Sequence, residues 1–162
     1  MVSHYHSQVE KGLVEWCKSS KRIKETFKGN ETPLSIVDAH TKMVVNYKPD
    51  VYAIKKSNNK KIIFEVLETE LKKQDIIIAD VIRSCLVENV DKIIFIFPSE
   101  EEDDVRRVLE ALYTTTRGLS TRLKVRGDRI PTGGAYPILR NLTKDTKKVV
   151  KKIQEYSKKD GW

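Results

Sequence analysis

Two carboxylates in this 162-residue chain stand where an acid needs a reason. Glu65 interrupts the apolar run Ile-Ile-Phe-Glu-Val-Leu of residues 62–67, and an acid buried there without a partner costs several kcal/mol. Asp50 follows Pro49 at the head of the preceding run, Val51 to Lys55, and the turn Lys-Lys-Ser-Asn-Asn-Lys-Lys of residues 55–61 joins the two. In an antiparallel pair the head of the first strand comes beside the far end of the second, so the two carboxylates can approach each other. At about 4 Å they repel by roughly 4 kcal/mol at an effective dielectric near 20, and a divalent cation reverses the sign of that penalty. Hard oxygen donors with open water positions suit Mg²⁺ or Mn²⁺ over Zn²⁺. Such an ion can activate water for attack on a phosphodiester and stabilise the leaving oxygen.

The elements that must position these acids follow from periodicity. From Ser3 to Phe27 the apolar residues Val9, Leu13, Trp16, Cys17, Ile23 and Phe27 recur at helical spacing, which predicts one first helix. Gly29 and Pro33 mark a loop. Strand-like runs follow at Leu34 to His40 with Met43 to Tyr47, at Val51 to Lys55 and at Lys61 to Leu67, read together as a meander. A second helix is predicted from about Leu71 to Asn89, then the buried strand Asp91 to Pro98, then a helix from Ser99 to about Thr115. Ser99 with Glu102 fits a capping box, and the acids of residues 100–104 suit the positive end of that helix. Residues 122–126 read as an edge strand, residues 127–137 as a Gly- and Pro-rich loop, and Tyr136 to Lys159 as a last helix. That last helix sets Leu139, Leu142, Val149, Val150, Ile153 and Tyr156 on one side and Lys144, Lys147, Lys148, Lys151 and Lys152 largely on the other. The expected architecture is α/β, an αβββαβ core with a mixed central sheet flanked by helices, plus a C-terminal helix. One domain spans residues 1–162, with its core at about 5–98 and a basic extension at about 117–162.

Composition narrows the function classes. With 39% hydrophobic residues, a chain of this length buries enough surface to fold without a disulfide or structural metal. Cys17 and Cys85 have no CxxC spacing, which disfavours a secreted disulfide scaffold and a zinc ribbon. No run approaches 18 apolar residues and the N-terminus carries no hydrophobic signal region, so a soluble cytoplasmic protein is expected, with no membrane partner. The formal charge of +8 is uneven: residues 31–116 carry 12 basic and 16 acidic side chains, residues 117–162 carry 13 and 4. An acidic middle between basic ends suits metal-binding carboxylates flanked by groups that grip a phosphate backbone.

At Pro49-Asp50, a single intervening turn and Glu65-Val66-Leu67 in an apolar strand, the sequence resembles the PD-(D/E)XK nuclease superfamily, which includes restriction endonucleases and archaeal Holliday-junction resolvases. The resemblance covers roughly residues 5–98. It implies a restriction-endonuclease-like core in which Asp50, Glu65 and the backbone carbonyl of Val66 bind the metal, with Glu10 of the first helix as an additional acidic ligand. The superfamily pattern departs at Leu67, where it expects a lysine that positions the attacking water. Some members supply that group from the following helix, which makes Lys72 and Lys73 the candidates and Lys73 the choice, with Gln74 as a substrate contact. Glu68 reads as a surface residue by strand alternation.

The functional expectation is a Mg²⁺- or Mn²⁺-dependent endonuclease acting on DNA, structure-selective or non-specific because phosphate contacts carry no sequence information. Lys144, Lys147, Lys148, Lys151 and Lys152 hold the backbone, and a homodimer would pair two sites. The competing readings are a catalytically inactive nuclease-fold module that binds nucleic acid, favoured by Leu67, and a Rossmann-like small-molecule protein, disfavoured by the lack of a phosphate-binding glycine motif. Smaller features have plain readings beside functional ones. His6 and Glu10 share a helix face but scattered histidines read as surface residues; Thr132-Gly133-Gly134 reads as a connection or a phosphate loop; Tyr47, Tyr52 and Tyr136 read as packing residues or base-stacking platforms.

Overall fold

Alternation along Lys61–Val66 decides the architecture: Ile62, Phe64 and Val66 face one side of a sheet, Ile63 and Glu65 the other, and every residue from Ile62 to Leu67 is buried. A strand apolar on both sides must be covered on both faces. The structure, a computed structural model, describes residues 2–37, 42, 44–69, 79, 83, 87–111 and 132–162. Its centre is a five-stranded mixed sheet in the order β1-β4-β5-β6-β7, with β1 at Ile23–Lys28, β4 at Val51–Lys55, β5 at Lys61–Val66, β6 at Val90–Pro98 and β7 at Thr132–Ile138. β4 is antiparallel to β1 and β5, while β5, β6 and β7 run parallel. The runs at 34–47, read as the start of one meander with β4 and β5, instead form a separate hairpin, β2 (Leu34–Val37) with β3 (Val44–Tyr47), and β1 takes the place beside β4.

Helix α1 (His4–Ser19) and the C-terminal helix α3 (Thr146–Asp160) cover one face, where Val9, Leu13, Trp16, Val149 and Ile153 pack on Phe64, Val66 and Ile94. Helix α2, residues 102–111, and the β2–β3 hairpin cover the other, where Val105, Leu109, Leu34 and Tyr47 meet Ile63, Leu67 and Phe95. The expected α/β class, mixed central sheet and C-terminal helix are present. Among the described residues no helix is long and apolar enough to cross a membrane.

Two element boundaries differ from the sequence reading. The first helix does not run to Phe27; it ends at Ser19, where the N–H of Ser20 closes onto the carbonyls of Trp16 and Cys17, and β1 begins at Ile23. Ile23, Thr26 and Phe27 suit a strand as well as a helix, and pairing with β4 decides the outcome. Likewise Tyr136 does not start a helix. Residues 132–138 form β7 against β6, a 3₁₀ turn covers Arg140–Lys144, and α3 starts at Thr146 with Asp145 as N-cap. Pro137 is tolerated because β7 borders the described sheet. Thr132-Gly133-Gly134 is therefore strand rather than loop. Tyr47, Tyr52 and Tyr136 are buried, which removes them as base-stacking platforms. The helix expected at 71–89, with Lys72, Lys73, Gln74 and Cys85, falls mostly outside the described residues, as does the strand expected at 122–126.

Cys17 faces the core from α1, and burial pushes its thiol up to about 12, so it stays protonated and unreactive in the folded protein. We expect site-resolved iodoacetamide labelling at about pH 8 to spare Cys17 in native protein and modify it after denaturation. Rapid labelling of native Cys17 would contradict this packing.

Candidate functional site

The carboxyl ends of β1, β5, β6 and β7 lie at the same edge of the sheet as the beginning of β4, because β4 alone runs the other way. Ligands in α/β sheets commonly bind outside this edge. Asp50 sits there, immediately before β4. The β4–β5 register, with Val51 opposite Phe64, carries Asp50 alongside Glu65 and Val66 as the hairpin reading required. The Val66 N–H donates to Asp50 Oδ2 at 2.7 Å, fixing one carboxylate oxygen to β5. The other oxygen, Oδ1, is 2.9 Å from His6 Nε2 on α1, and His6 Nε2 is 3.5 Å from Glu10 Oε2. Lys28, the last residue of β1, places Nζ 3.5 Å from Glu10 Oε1.

His6, Glu10 and Asp50 each offer a donor atom such that all three lie within 4.8 Å of one another, the one such cluster of at least three acid, histidine or cysteine groups among the described residues. Donors sharing an ion at about 2.1 Å stand no more than about 4.2 Å apart, so a contraction of roughly half an ångström would bring these three onto one cation. One imidazole nitrogen with two carboxylates suits Mn²⁺ at least as well as Mg²⁺. The side chains are partly exposed, at 12%, 19% and 16% for His6, Glu10 and Asp50, which leaves room for water positions.

The other residues singled out from sequence are placed as follows. Glu65 is 2% exposed, and its Oε1 accepts a hydrogen bond from the Tyr47 hydroxyl on β3, so it is buried and partnered beside the cluster rather than within it. Val66 touches the site through its backbone N–H. Leu67 is 1% exposed and packs in the apolar layer with Leu34, Tyr52 and Phe95. Lys73 lies outside the described residues. The C-terminal lysines do not sit over the cluster: Thr146 Oγ1 donates to Gln8 Oε1 and Val149 packs on Gly12, the flank of α1 roughly half a turn away from His6 and Glu10. Lys144, Lys147, Lys148 and Lys151 are exposed, but Lys144 belongs to the 3₁₀ turn, and Lys152 is engaged with Glu155 at 3.5 Å and the Tyr156 ring.

Two contributors are not apparent from sequence. Lys28 is hidden because the chain around it reads as helix end and loop; once Ile23–Lys28 is a strand, its last residue must reach this edge. Its side chain is 41% exposed and is the cation nearest Glu10. Gly29 reads only as a stop signal. A Cβ there would stand 1.9 Å from the Pro49 carbonyl oxygen and 2.6 Å from its nitrogen, so the end of β1 fits directly against the backbone that delivers Asp50.

A second group of acids supports the edge. Glu68, expected at the surface, is 2% exposed: its Oε1 accepts from the Ser3 hydroxyl and its Oε2 lies 3.0 Å from Arg140 Nη1. Arg140 Nη2 reaches Glu101 Oε1 at 2.9 Å, and Glu101 Oε2 accepts from the Thr69 N–H at 2.8 Å. Glu101 is thus buried and ion-paired rather than an exposed dipole partner, and the first turn after β6 is a 3₁₀ turn (Ser99–Glu101) without a side-chain cap. Ser3 is the N-cap of α1 and also accepts from the His6 N–H at 3.0 Å, so the pair Arg140–Glu68 holds the turn that carries His6. Desolvation alone would lower the Arg140 pKa, but Glu68 and Glu101 outweigh it and raise it. Burial, reinforced by Glu68, pushes the Tyr5 hydroxyl far above its usual range, and Tyr5 donates to the Ile138 carbonyl at 3.2 Å.

No protein-family model, curated protein or solved structure matches the chain. The site is therefore read from its own geometry.

Two substitutions test how it is held. Gly29→Ala should cost about 2 kcal/mol or more, since backbone rather than a flexible side chain must yield, measured by urea unfolding. Arg140→Met should cost about 3 kcal/mol, the low end for stranding buried carboxylates because Arg140 is partly exposed. Adding Glu68→Gln and Glu101→Gln to it should recover much of the loss. An Arg140→Met variant as stable as wild type would show that these carboxylates are not held by it.

Proposed function

We propose that this protein is a metal-dependent endonuclease that hydrolyses phosphodiester bonds in DNA, acting in the cytoplasm. The observation that carries the reading is the placement of Asp50: bound to the Val66 amide of one strand, it turns its other oxygen to His6 and Glu10 of α1 at the carboxyl edge of the sheet. Two of the acids that the likeness to PD-(D/E)XK nucleases names as ligands, Asp50 and Glu10, belong to this cluster; His6 is not among them, and Glu65 stands beside it. The helix, three-stranded antiparallel unit and parallel fourth strand agree with that likeness.

His6, Glu10 and Asp50 would hold the ion, Mg²⁺ or Mn²⁺, while Glu65 and the Val66 carbonyl, the other ligands that the likeness implies, border the site. A bound ion supplies Lewis acidity, lowers the pKa of a coordinated water and stabilises a leaving oxygen. The chain's own residues do the remaining work. The Val66 N–H keeps Asp50 from rotating away, Tyr47 holds the Glu65 carboxylate, and Lys28 offers an ammonium group to phosphate oxygens beside Glu10. Lys73 would approach from the segment after β5, and Lys144, Lys147, Lys148, Lys151 and Lys152 would bind backbone phosphates along α3, as a monomer or as a homodimer pairing two sites.

One observation favours a second reading, a nuclease-fold module that binds nucleic acid without cutting it. Leu67 is buried in apolar surroundings where the likeness calls for lysine, so that strand face cannot present an ammonium group. Cleavage of labelled duplex, single-stranded and four-way-junction DNA with Mn²⁺ or Mg²⁺ separates the two. We expect wild type to cut, and Asp50→Ala and Glu10→Ala to lose at least a hundredfold in rate while still binding. Lys28→Ala should lose about tenfold or more. Binding without cleavage by wild type in either metal would favour the second reading.

A further inference from the structure

Charge is segregated across the sheet as well as along the chain. The carboxyl edge holds Glu10, Asp50, Glu65, Glu68 and Glu101. The opposite edge is made from the end of α1, the β4–β5 turn, the start of β6 and the end of α3, and these are tied together directly. The Lys56 N–H donates to the Arg22 carbonyl at 2.8 Å, Arg22 Nη1 to the Trp162 carbonyl at 3.0 Å, and Lys92 Nζ to the Gly161 carbonyl at 3.2 Å. Around these contacts Lys21 and Arg22, Lys56 and Lys60, and Lys158 and Lys159 are all exposed. Against these six exposed basic groups, Asp91 is paired with Lys55 at 2.9 Å, while Asp160, which accepts from the Tyr136 hydroxyl, keeps its negative charge. Between the elements lies a cleft of about 470 Å³ lined by Arg22, Lys55, Lys56, Ser57, Gly161 and Trp162.

We infer that this basic edge is a second contact surface for the phosphate backbone of a nucleic acid, separate from the carboxylate edge. The cleft has room for a phosphate with its sugar, and donors from Arg22, Lys56 and Ser57 border it. The exposed lysines lie on three elements, which fits a repeating polyanion better than a single anion. A stripe on α3, Lys147, Lys151 and Lys158, runs along that helix toward the cleft, giving the polymer a continuous track. An anionic membrane is the poorer fit. Trp162 is buried, and none of the large exposed apolar side chains among the described residues, Val2, Val44 and Leu139, belongs to the elements of this edge.

The surface is independent of cleavage, so it is tested by binding alone, in EDTA. A fluorescein-labelled DNA duplex of about 30 base pairs is titrated by anisotropy at several salt concentrations. The proteins are wild type and the fourfold variant Lys21→Gln, Lys56→Gln, Lys60→Gln, Lys158→Gln. All four lysines are exposed, so the fourfold variant should melt within about 2 °C of wild type by circular dichroism. We expect it to bind at least tenfold more weakly at about 0.1 M salt. The slope of log K against log salt should flatten by up to about 3.6, at about 0.9 for each phosphate that is no longer neutralised. Unchanged affinity and slope in the fourfold variant would overturn the inference. So would a loss confined to phosphatidylcholine–phosphatidylserine vesicles, which would assign the edge to a membrane.

Discussion

The hydrogen bond from the Val66 N–H to Asp50 Oδ2 is the constraint on which the site depends. It joins the head of β4 to the end of β5 at the point where the antiparallel register stops. A charge-assisted bond of this kind is stronger than a neutral one. With one oxygen committed to β5, the second oxygen of the carboxylate can face only what the edge presents, which is the first turns of α1. Everything else serves to bring that helix and that strand end together. Gly29 lets β1 close against Pro49, Tyr5 ties the start of α1 to the end of β7, and Ser3 passes the hold of Arg140 and Glu68 to the turn bearing His6. The N-terminal end of α1 carries partial positive charge, which favours carboxylates beside it.

Placing so many acids at one edge has an electrostatic cost, and the structure meets it with a few cations placed at close range. Arg140 answers Glu68 and Glu101, and Lys28 answers Glu10. Among the described residues, six lysines lie on α3 and further basic groups on the opposite edge. The net +8 therefore describes neither end of the molecule. On the proposed reading, the arrangement would separate cation chemistry at the carboxyl edge from polyanion contact on the other surfaces, and a nucleic acid lying along α3 would approach the acidic edge with its phosphates already partly neutralised.

Much of the site was legible because its determinants are local. The turn at residues 55–61 and the two apolar runs beside it set the register that brings Asp50 to Glu65 and Val66, and period-two alternation puts Glu65 in the interior. What was not legible depends on distant partners. Ile23 and Phe27 fit a helical stripe, and only pairing with β4 makes them a strand, so Lys28 was invisible as a site residue. Gly133, Gly134 and Pro137 read as loop because their strand is specified by β6 rather than by their own propensity. His6 and Glu10 were visibly on one helix face, yet nothing local indicates that the face meets Asp50. Glu68 lies two residues beyond the end of β5, where alternation no longer governs, and it is paired with Arg140 from 72 residues away.

The central claim is that His6, Glu10 and Asp50 form a single cation site, and calorimetric titration of Mn²⁺ into wild type and Asp50→Ala tests it most directly. A single site predicts one equivalent of Mn²⁺ bound by wild type and at least a tenfold loss of affinity in the variant, with the fold intact by circular dichroism. Saturable binding that survives Asp50→Ala unchanged, or no binding by wild type, would contradict it.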